Sequence, residues 1–485
     1  MNAGRARAWL RLGGFALALA LAAGAGAGCL VYLDPKCDDQ IRNGSETDVD
    51  CGGNCRPCST GHPCHKGADC ESGTCADLCV PPPCENGVQD GTETDVDCGG
   101  DACRKCAGGR RCQADRDCFG GRCDAASQTC RSLRTVSFAA PVSYPAGFKT
   151  YVLLAGDVNR DGRLDLVALN EQGSSVSTFL GRGDGTFVRV EPEFPTGAYP
   201  TGGAIVDLDR DGNLDVVTAN FHGNSVSVLL GNGDGTFRAF NDYPTVGGAE
   251  TSNLAVGDLN GDGYPDVVAS NPKSGSLSLF LARPDGTLPP AVNVLVGVLG
   301  ASAPDAVVIA DFDRDGKNDL AIMDAGTRRT IVRRGNGDGS FGPEVDYPAV
   351  GSLLAADVNG DGRLDLVAVD RGTNLVTVLL GRGDGTFRDP LQSTTGDGTG
   401  PFTAAVGDFN QDGVADLVTS NFDAPEATVL LGVGDGRFEA PIDGGVTGPL
   451  SYGSVAADLD GDGRPDFATC NAGSNDVIVI LNTSH

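Results

Sequence analysis

From about residue 134 to the end of the chain, short apolar runs alternate with polar turns rich in Gly, Asn and Asp. Asp165-Leu166-Val167-Ala168-Leu169-Asn170 and Ser225-Val226-Ser227-Val228-Leu229-Leu230 are two such runs. Runs this brief, punctuated by Gly turns, predict strands, and helix-favouring stretches are scarce. An all-α fold is excluded.

The turns are periodic. The text Asp-x-[Asp/Asn]-x-Asp-Gly-x-x-Asp occurs seven times, starting at Asp157, Asp207, Asp258, Asp311, Asp357, Asp408 and Asp458, at intervals of 50, 51, 53, 46, 51 and 50 residues. A second turn, Gly-x-Gly-Asp-Gly-Thr-Phe or a variant, follows six of them. Its Asp stands 27 positions after the first: Asp184, Asp234, Asp285, Asp338, Asp384 and Asp435. Two turns and the runs between them give about four strands per unit, and four-stranded units repeated around an axis make a β-propeller. The expected fold is all-β, a seven-bladed calcium-binding β-propeller over residues 134–485, preceded by a disulfide-rich, loop-rich region.

The chain ends favour a closed ring over an open solenoid. His485 falls where the seventh Gly-Asp-Gly turn and its following strand would start. At the other end Thr135-Val136-Ser137-Phe138-Ala139-Ala140-Pro141-Val142-Ser143-Tyr144-Pro145 matches the strand after the turn in other units, such as Phe341-Gly342-Pro343-Glu344-Val345-Asp346-Tyr347-Pro348. The early strand therefore completes the last blade and removes an exposed edge. A solenoid would need capping repeats, and none is visible.

The first turn of each unit has the chemistry of a cation loop. Oxygen-bearing residues at positions 1, 3, 5 and 9, with Gly at the bend, wrap a hard cation because alternate side chains turn inward. These are Asp157, Asn159, Asp161 and Asp165; Asp207, Asp209, Asp211 and Asp215; Asp258, Asn260, Asp262 and Asp266; Asp311, Asp313, Asp315 and Asp319. The last three loops supply Asp357, Asn359, Asp361 and Asp365; Asp408, Asn410, Asp412 and Asp416; Asp458, Asp460, Asp462 and Asp466. Position 7 varies from Arg163 to Val414, which suits a backbone carbonyl ligand. An EF-hand would need Glu at position 12, where this chain has Ala168, Thr218 and Ile322 among others. Clustered carboxylates destabilise a fold unless a cation offsets them, and a flexible loop with many oxygens suits Ca²⁺ better than Mg²⁺. About seven structural calcium ions are expected. The alternative is that some loops are ordinary Asp-Gly turns.

This text resembles the FG-GAP and VCBS repeats of integrin-α-like seven-bladed propellers over residues 134–485. The resemblance implies calcium in a hairpin loop of each blade, held for structure, and a role in adhesion or protein contact.

Charge and cysteine narrow the partners and the compartment. With 36 Lys plus Arg against 65 Asp plus Glu the formal charge is −29, so nucleic acid is repelled and a cation is the expected partner. Residues 1–28 read as an export signal: Arg5, Arg7 and Arg11 precede an uncharged run from Leu12 to Leu33. Ala25-Gly26-Ala27-Gly28-Cys29 permits cleavage to a soluble protein, lipidation at Cys29 of a surface or outer-membrane lipoprotein, or an uncleaved anchor. The site resembles a lipobox, with Gly26 where that motif usually has Leu. In all three cases the mature chain works outside the cytoplasm.

Sixteen cysteines form two copies of one pattern, Cys37 to Cys79 and Cys84 to Cys130, within repeats expected at 37–83 and 84–131. The segments have few apolar residues, so four disulfides per copy are expected to take the place of a core. They resemble Cys-rich modules of bacterial surface proteins. Zinc is the alternative, through Cys55-x-x-Cys58, Cys103-x-x-Cys106, His62 and His65. The second copy has no His, which places the histidines outside the repeated pattern. Cys470, in an apolar strand, is expected to be a buried thiol.

Two motifs remain. Arg182-Gly183-Asp184 and Arg382-Gly383-Asp384 spell an integrin-ligand tripeptide, yet Asn232, Asn336 and Val433 replace the Arg elsewhere, which favours a plain turn. Asn170, Asn220, Asn271, Asp324, Asp370, Asn421 and Asn471 stand 13 positions after each first Asp, at the opposite rim. They cap the next turn or line a polar ligand site. The four His and the lack of hydrolase, zincin or phosphate-loop motifs argue against an enzyme. Trp9, the only Trp, lies in the export signal, which weakens a lectin reading. The reading adopted is an exported, calcium-stabilised, non-catalytic monomer that binds another macromolecule. Its alternatives are a calcium-dependent carbohydrate-binding protein and a polysaccharide-acting enzyme. The ligand, macromolecule or glycan, is expected on the rim opposite the calcium loops, where Tyr199, Phe221, His222, Phe402, Phe422 and Tyr452 vary from blade to blade. Membrane contact is expected only through a lipid at Cys29.

Overall fold

The computed structural model describes residues 136–485, apart from 247–249, 299 and 485, together with scattered positions between 64 and 130. The chain divides into two compact units, Met1–Asn86 and Gly87–His485. The export signal, Cys29 and most of the first cysteine repeat lie outside the described residues. Helix is confined, among the described residues, to two single 3₁₀ turns, Asp115–Asp117 and Pro272–Ser274.

Seven antiparallel sheets follow one another along the chain, each starting with its innermost strand. Blade two is typical: Pro200–Val206, Asp215–Asn220, Ser225–Leu229 and Asn241–Pro244 pair in sequence order. Blade one differs at its outer edge, where Phe187–Arg189 and Phe194–Pro195 both pair with the third strand, Ser175–Gly181. The inner strands lie side by side around an axis, and that of blade seven, Ser451–Ala457, meets that of blade one, Thr150–Gly156. The fold is a closed, all-β, seven-bladed propeller.

Closure is made as the sequence predicts. Val142–Pro145 forms the outer strand of blade seven, pairing Val142 with Val479 and Pro145 with Asp476. Phe138 bridges Asn482, and the Thr483 N–H donates to the Ser137 carbonyl at 2.8 Å. Residues more than three hundred positions apart thus share one sheet.

There is no single core. Each second strand is buried along its length, save for Asp370 at the end of that in blade five, and its alternate side chains serve different neighbours. Leu166 and Ala168 pack towards blade seven with Leu459 and Val477, whereas Val167 and Leu169 pack towards blade two with Val216 and Leu229. Seven such clusters exist, one at each junction of adjacent blades. Cys470 lies in the cluster between blades seven and one as a free, buried thiol. Burial pushes it up to about 12, so it stays protonated and unreactive.

In the second cysteine repeat Cys98–Cys106, Cys112–Cys123 and Cys118–Cys130 are disulfides, all internal to the copy. Their sulfurs form the small buried cluster there. The Cys106–Cys98 bond removes Cys103-x-x-Cys106 as a zinc pair.

Deleting residues 135–145 exposes the third strand of blade seven and opens the ring. The melting temperature is expected to fall by more than about 5 °C, since even 1 kcal/mol moves a large domain by roughly 2–4 °C. An unchanged melting curve by calorimetry would contradict closure.

Candidate functional site

All seven loops share two bonds, from the position-6 Gly N–H to the position-1 carboxylate and from the position-7 N–H to the position-5 carboxylate. In the first loop, the Asp157 carboxylate accepts the N–H groups of Asp161 at 3.0 Å and Gly162 at 2.8 Å, and Asp161 accepts the Arg163 N–H at 2.9 Å. The sharp bend needs left-handed backbone at position 6, and Gly supplies it in all seven, from φ 78° at Gly362 to 89° at Gly263. Position 4 is left-handed too, as Arg160, Arg210, Gly261, Arg314, Gly360, Gln411 and Gly461. That requirement is invisible in the motif, because Arg and Gln adopt it here as well as Gly.

Position 9 has a second task that the motif does not announce. Asp165 is fully buried, accepting the Val158 N–H at 3.0 Å on one oxygen and the Gly181 N–H at 2.8 Å on the other. Asp215, Asp266, Asp319, Asp365, Asp416 and Asp466 repeat this in every blade. One carboxylate so clamps the start of its loop to the residue 16 positions further on, at the end of the third strand.

Three groups of carboxylates converge tightly enough to hold a metal ion: Asp207, Asp209 and Asp215; Asp311, Asp313 and Asp315; Asp458, Asp460 and Asp466. Within each, one oxygen per residue lies within 4.8 Å of the others. The second loop gives the sharpest test of fit. The Asp207 Oδ1 atom is buried and has no hydrogen-bond partner, a costly state for a carboxylate oxygen that a cation would relieve. The donor set, all carboxylate oxygens, suits a hard divalent cation.

The Gly-Asp-Gly turns lie on the same rim. The Asp184 carboxylate accepts the Thr186 N–H at 3.0 Å and its hydroxyl, and Asp234, Asp285, Asp338 and Asp384 do the same with the residue two further on. The Gly185 N–H donates to the Leu459 carbonyl in the loop of blade seven at 3.2 Å, and a Cβ there would stand 2.6 Å from Leu481. Both Arg-Gly-Asp tripeptides are parts of such turns, as the internal comparison predicts.

At the opposite rim the Asx residues are caps. Asn170 is fully buried, accepting the Gly147 N–H and donating to Ser175 and Ser177. Asn220 and Asn471 are likewise buried and bonded to neighbouring side chains, and Asp324 accepts the Ala303 N–H. Asp370 caps its turn through the Gly372 N–H at 2.9 Å and also lines the cavity at the mouth of the central channel.

The aromatic residues at this rim form two groups. His222 packs against Tyr199 and Phe221, with ring centroids 4.3 and 5.1 Å away. Phe402 and Phe422 pack on Tyr452 at 4.7 and 5.2 Å, and the Arg371 guanidinium lies over Phe422 at 3.6 Å. Tyr151, absent from the sequence-based selection, completes the second group, 4.3 Å from Tyr452 and 5.6 Å from Phe402. Like Phe402 and Tyr452, it lies within an inner strand rather than a loop. The signal that could have found it is register: six positions before each first Asp stand Tyr151, Thr201, Ser252, Asp305, Gly351, Phe402 and Tyr452, seven positions of which only the two Tyr agree. The first six line a cavity of about 720 Å³ at the mouth of the central channel, and Tyr452 packs on two of them.

The FG-GAP-like repeat profile matches five overlapping stretches, residues 157–218, 207–269, 258–322, 311–368 and 357–419, together more than half of the chain. Each runs from one Asp loop through the next. The chain belongs to the FG-GAP-like repeat family. A search of curated protein sequences gave no match. Among solved structures the chain is similar to BBS1N in its complex with ARL6DN (12% identity, 72% of this chain and 98% of that one, TM-score 0.50) and to virginiamycin B lyase from Staphylococcus aureus (10% identity, 71% and 99%, TM-score 0.50). It is also similar to an Agrocybe aegerita lectin that recognises non-reducing terminal N-acetylglucosamine (21% identity, 70% and 86%, TM-score 0.46). At such identities the likeness is one of fold. The disulfides and the repeats together indicate an extracellular protein.

Without metal, burial first and neighbouring loop carboxylates second push the position-9 carboxyls up, against their backbone hydrogen bonds. Asp165, Asp215, Asp266, Asp319 and Asp466 rise to about 6, Asp365 to about 7 and Asp416 to about 8. A carboxyl raised in the folded state favours folding when protonated, and this contribution is lost as pH rises through the folded value. Turn residues such as Asp184 and Asp234 are held below 3.8 by hydrogen bonds to Thr186 and Thr236, so their opposite effect is confined to lower pH. In chelator the melting temperature is therefore expected to rise as pH falls from about 8 to 5. A fall across that window would contradict the clamp assignment.

Proposed function

We propose that the chain is an exported, calcium-stabilised, non-catalytic protein that binds another macromolecule on the rim opposite its Asp loops. The observation that carries the reading is the contrast between the rims. One repeats the same loop and turn seven and six times, whereas the other surrounds the channel mouth with side chains that differ between blades. Identical loops hold identical ions, but discrimination between partners requires different side chains in a fixed arrangement.

Calcium is the cation proposed, because the loops offer several oxygens on flexible backbone and Ca²⁺ accepts irregular shells that Mg²⁺ does not. Asp207, Asp209 and Asp215 would hold it in the second loop, and the corresponding residues in the others. Its role is to neutralise the loop carboxylates. Export is proposed through residues 1–28, with lipidation at Cys29 as the attachment to a membrane. Among the described residues no helix is long and apolar enough to cross one.

Titration calorimetry on chelator-stripped protein is expected to show about seven calcium sites, and saturating calcium to raise the melting temperature. A site filled at a hundredfold excess over its dissociation constant contributes about 2.7 kcal/mol. Fewer than about three ions per chain, or no effect of chelator on melting, would sink the calcium reading.

The partner itself can be sought by probing the immobilised mature chain with cell-surface extracts and a glycan array, with and without calcium. Once it is in hand, Phe221→Ala with Phe422→Ala is expected to abolish its binding while leaving calcium stoichiometry and melting nearly unchanged. Asp211→Ala should instead lower melting first. If folded loop variants lose the partner and the aromatic variant keeps it, the metal takes part directly and a calcium-dependent lectin becomes the better reading.

A further inference from the structure

The channel mouth is built to point particular side chains at a ligand. In blades one, two, four, six and seven the inner strand shifts register at the ring position, leaving Tyr151, Thr201, Asp305, Phe402 and Tyr452 out of the ladder to the second strand. A β-bulge of this kind frees a residue from pairing and re-aims its side chain. In blades four, six and seven the backbone of the freed residue is then held by the blade before it. Ser270 donates to the Asp305 carbonyl at 2.6 Å, Ser352 to that of Phe402 at 2.6 Å and Thr403 to that of Tyr452 at 2.8 Å, while Thr201 donates to Ser252 at 2.9 Å.

These bonds also decide what the mouth can recognise. Among the lining hydroxyls those of Thr201, Ser252, Ser352 and Thr403 are committed to main-chain carbonyls, so few remain to read the hydroxyls of a neutral sugar. Two carboxylates are differently placed. Among the described residues neither the Glu171 nor the Asp305 carboxylate receives a hydrogen bond or a direct ion pair, and both residues line the cavity, whereas Asp370 and Arg371, which line it too, are paired with Arg328 at 3.5 Å and Asp423 at 2.9 Å. Glu171 and Asp305 come from blades one and four, and both lie within electrostatic range of the Tyr151 ring. Burial raises that phenol first, and Tyr452, Asp305 and Glu171 raise it further. Burial likewise pushes the Glu171 carboxyl up, against the pull of Lys149 and His222. Beside the carboxylates, Tyr151, Phe402 and Tyr452 stack edge-on or tilted into a continuous apolar wall.

We propose that this mouth takes an aliphatic ammonium group, presented as a lysine side chain of a protein partner, with its methylenes against Tyr151, Phe402 and Tyr452 and its charge towards Asp305 and Glu171. The proposal rests on the macromolecule-binding reading above and names the group that the rim selects. A lysine combines a narrow apolar stem with a compact charge, and aromatic faces and carboxylates both attract that charge.

The test uses the full mature chain in calcium and the blocked peptide acetyl-Gly-Gly-Lys-Gly-Gly-amide, with binding followed by calorimetry or by protein chemical shifts. The acetyllysine counterpart is expected to bind at least about tenfold more weakly, the equivalent of roughly 1.4 kcal/mol. The double variant Glu171→Gln, Asp305→Asn is expected to show a similar loss for the lysine peptide, with melting unchanged. Equal affinity for the two peptides, no detectable lysine binding, or an unaffected double variant would overturn the proposal. Binding of N-acetylglucosamine in place of the lysine peptide would overturn it in favour of a neutral saccharide. If the Phe221→Ala, Phe422→Ala variant loses its macromolecular partner while the wild type ignores lysine, this inference fails and the rim assignment stands.

Discussion

The rest of the structure depends on a buried carboxylate that no side-chain cation answers. In every blade the last Asp of the loop is sealed from water and receives two backbone N–H bonds, one from the loop and one from the end of the third strand. Hydrogen bonds to a charged acceptor are strong, and in a dry site they fix geometry as well as energy. The clamp sets where the loop begins, where the hairpin ends and how the second strand enters the sheet. It also concentrates negative charge at one rim. Structure and metal-binding capacity therefore come from the same side chain, used in two ways.

The propeller divides its labour accordingly. At the loop rim the Gly-Asp-Gly turns of one blade dock on the loop of the blade before it, as Gly185 does on Leu459, so sequence there is repetitive because each contact must be made again. At the other rim, bulges release one or two residues per inner strand in five blades, and the ladder no longer dictates what those residues must be. Variation is tolerated where pairing is suspended, and that is where a ring of differing side chains surrounds the channel.

Stability is distributed in the same modular way. The seven clusters between blades each depend on both neighbours, so the ring gains its last interface only when Val142–Pro145 completes blade seven and blade seven meets blade one. An unclosed array would leave two blades half-packed and one strand edge open. The cysteine repeat follows another principle, with sulfurs at its centre where apolar side chains are lacking.

Much of this was legible in the sequence because the repeat is written in local text. A nine-residue loop with Gly at its bend carries its own conformation, and seven copies at nearly constant spacing fix the number of blades, the rim on which the loops lie and, through the unfinished last unit, the strand that closes the ring. The turn role of Arg-Gly-Asp was legible for the same reason, since the partner of its Asp lies two residues on, and so in part were the Asx caps, some of whose partners, such as Ser175 for Asn170, are equally local. What tertiary structure decided involves distant partners. The second task of Asp165 needs the Gly181 N–H, which reaches it only once the third strand has paired. Tyr151 becomes part of the aromatic cluster at the channel mouth only because Phe402 and Tyr452, remote in the chain, are carried to its side by closure of the ring. Nothing in the neighbourhood of Tyr151 along the chain distinguishes a channel residue from an ordinary strand residue, because the bulge that exposes it is a property of the paired sheet.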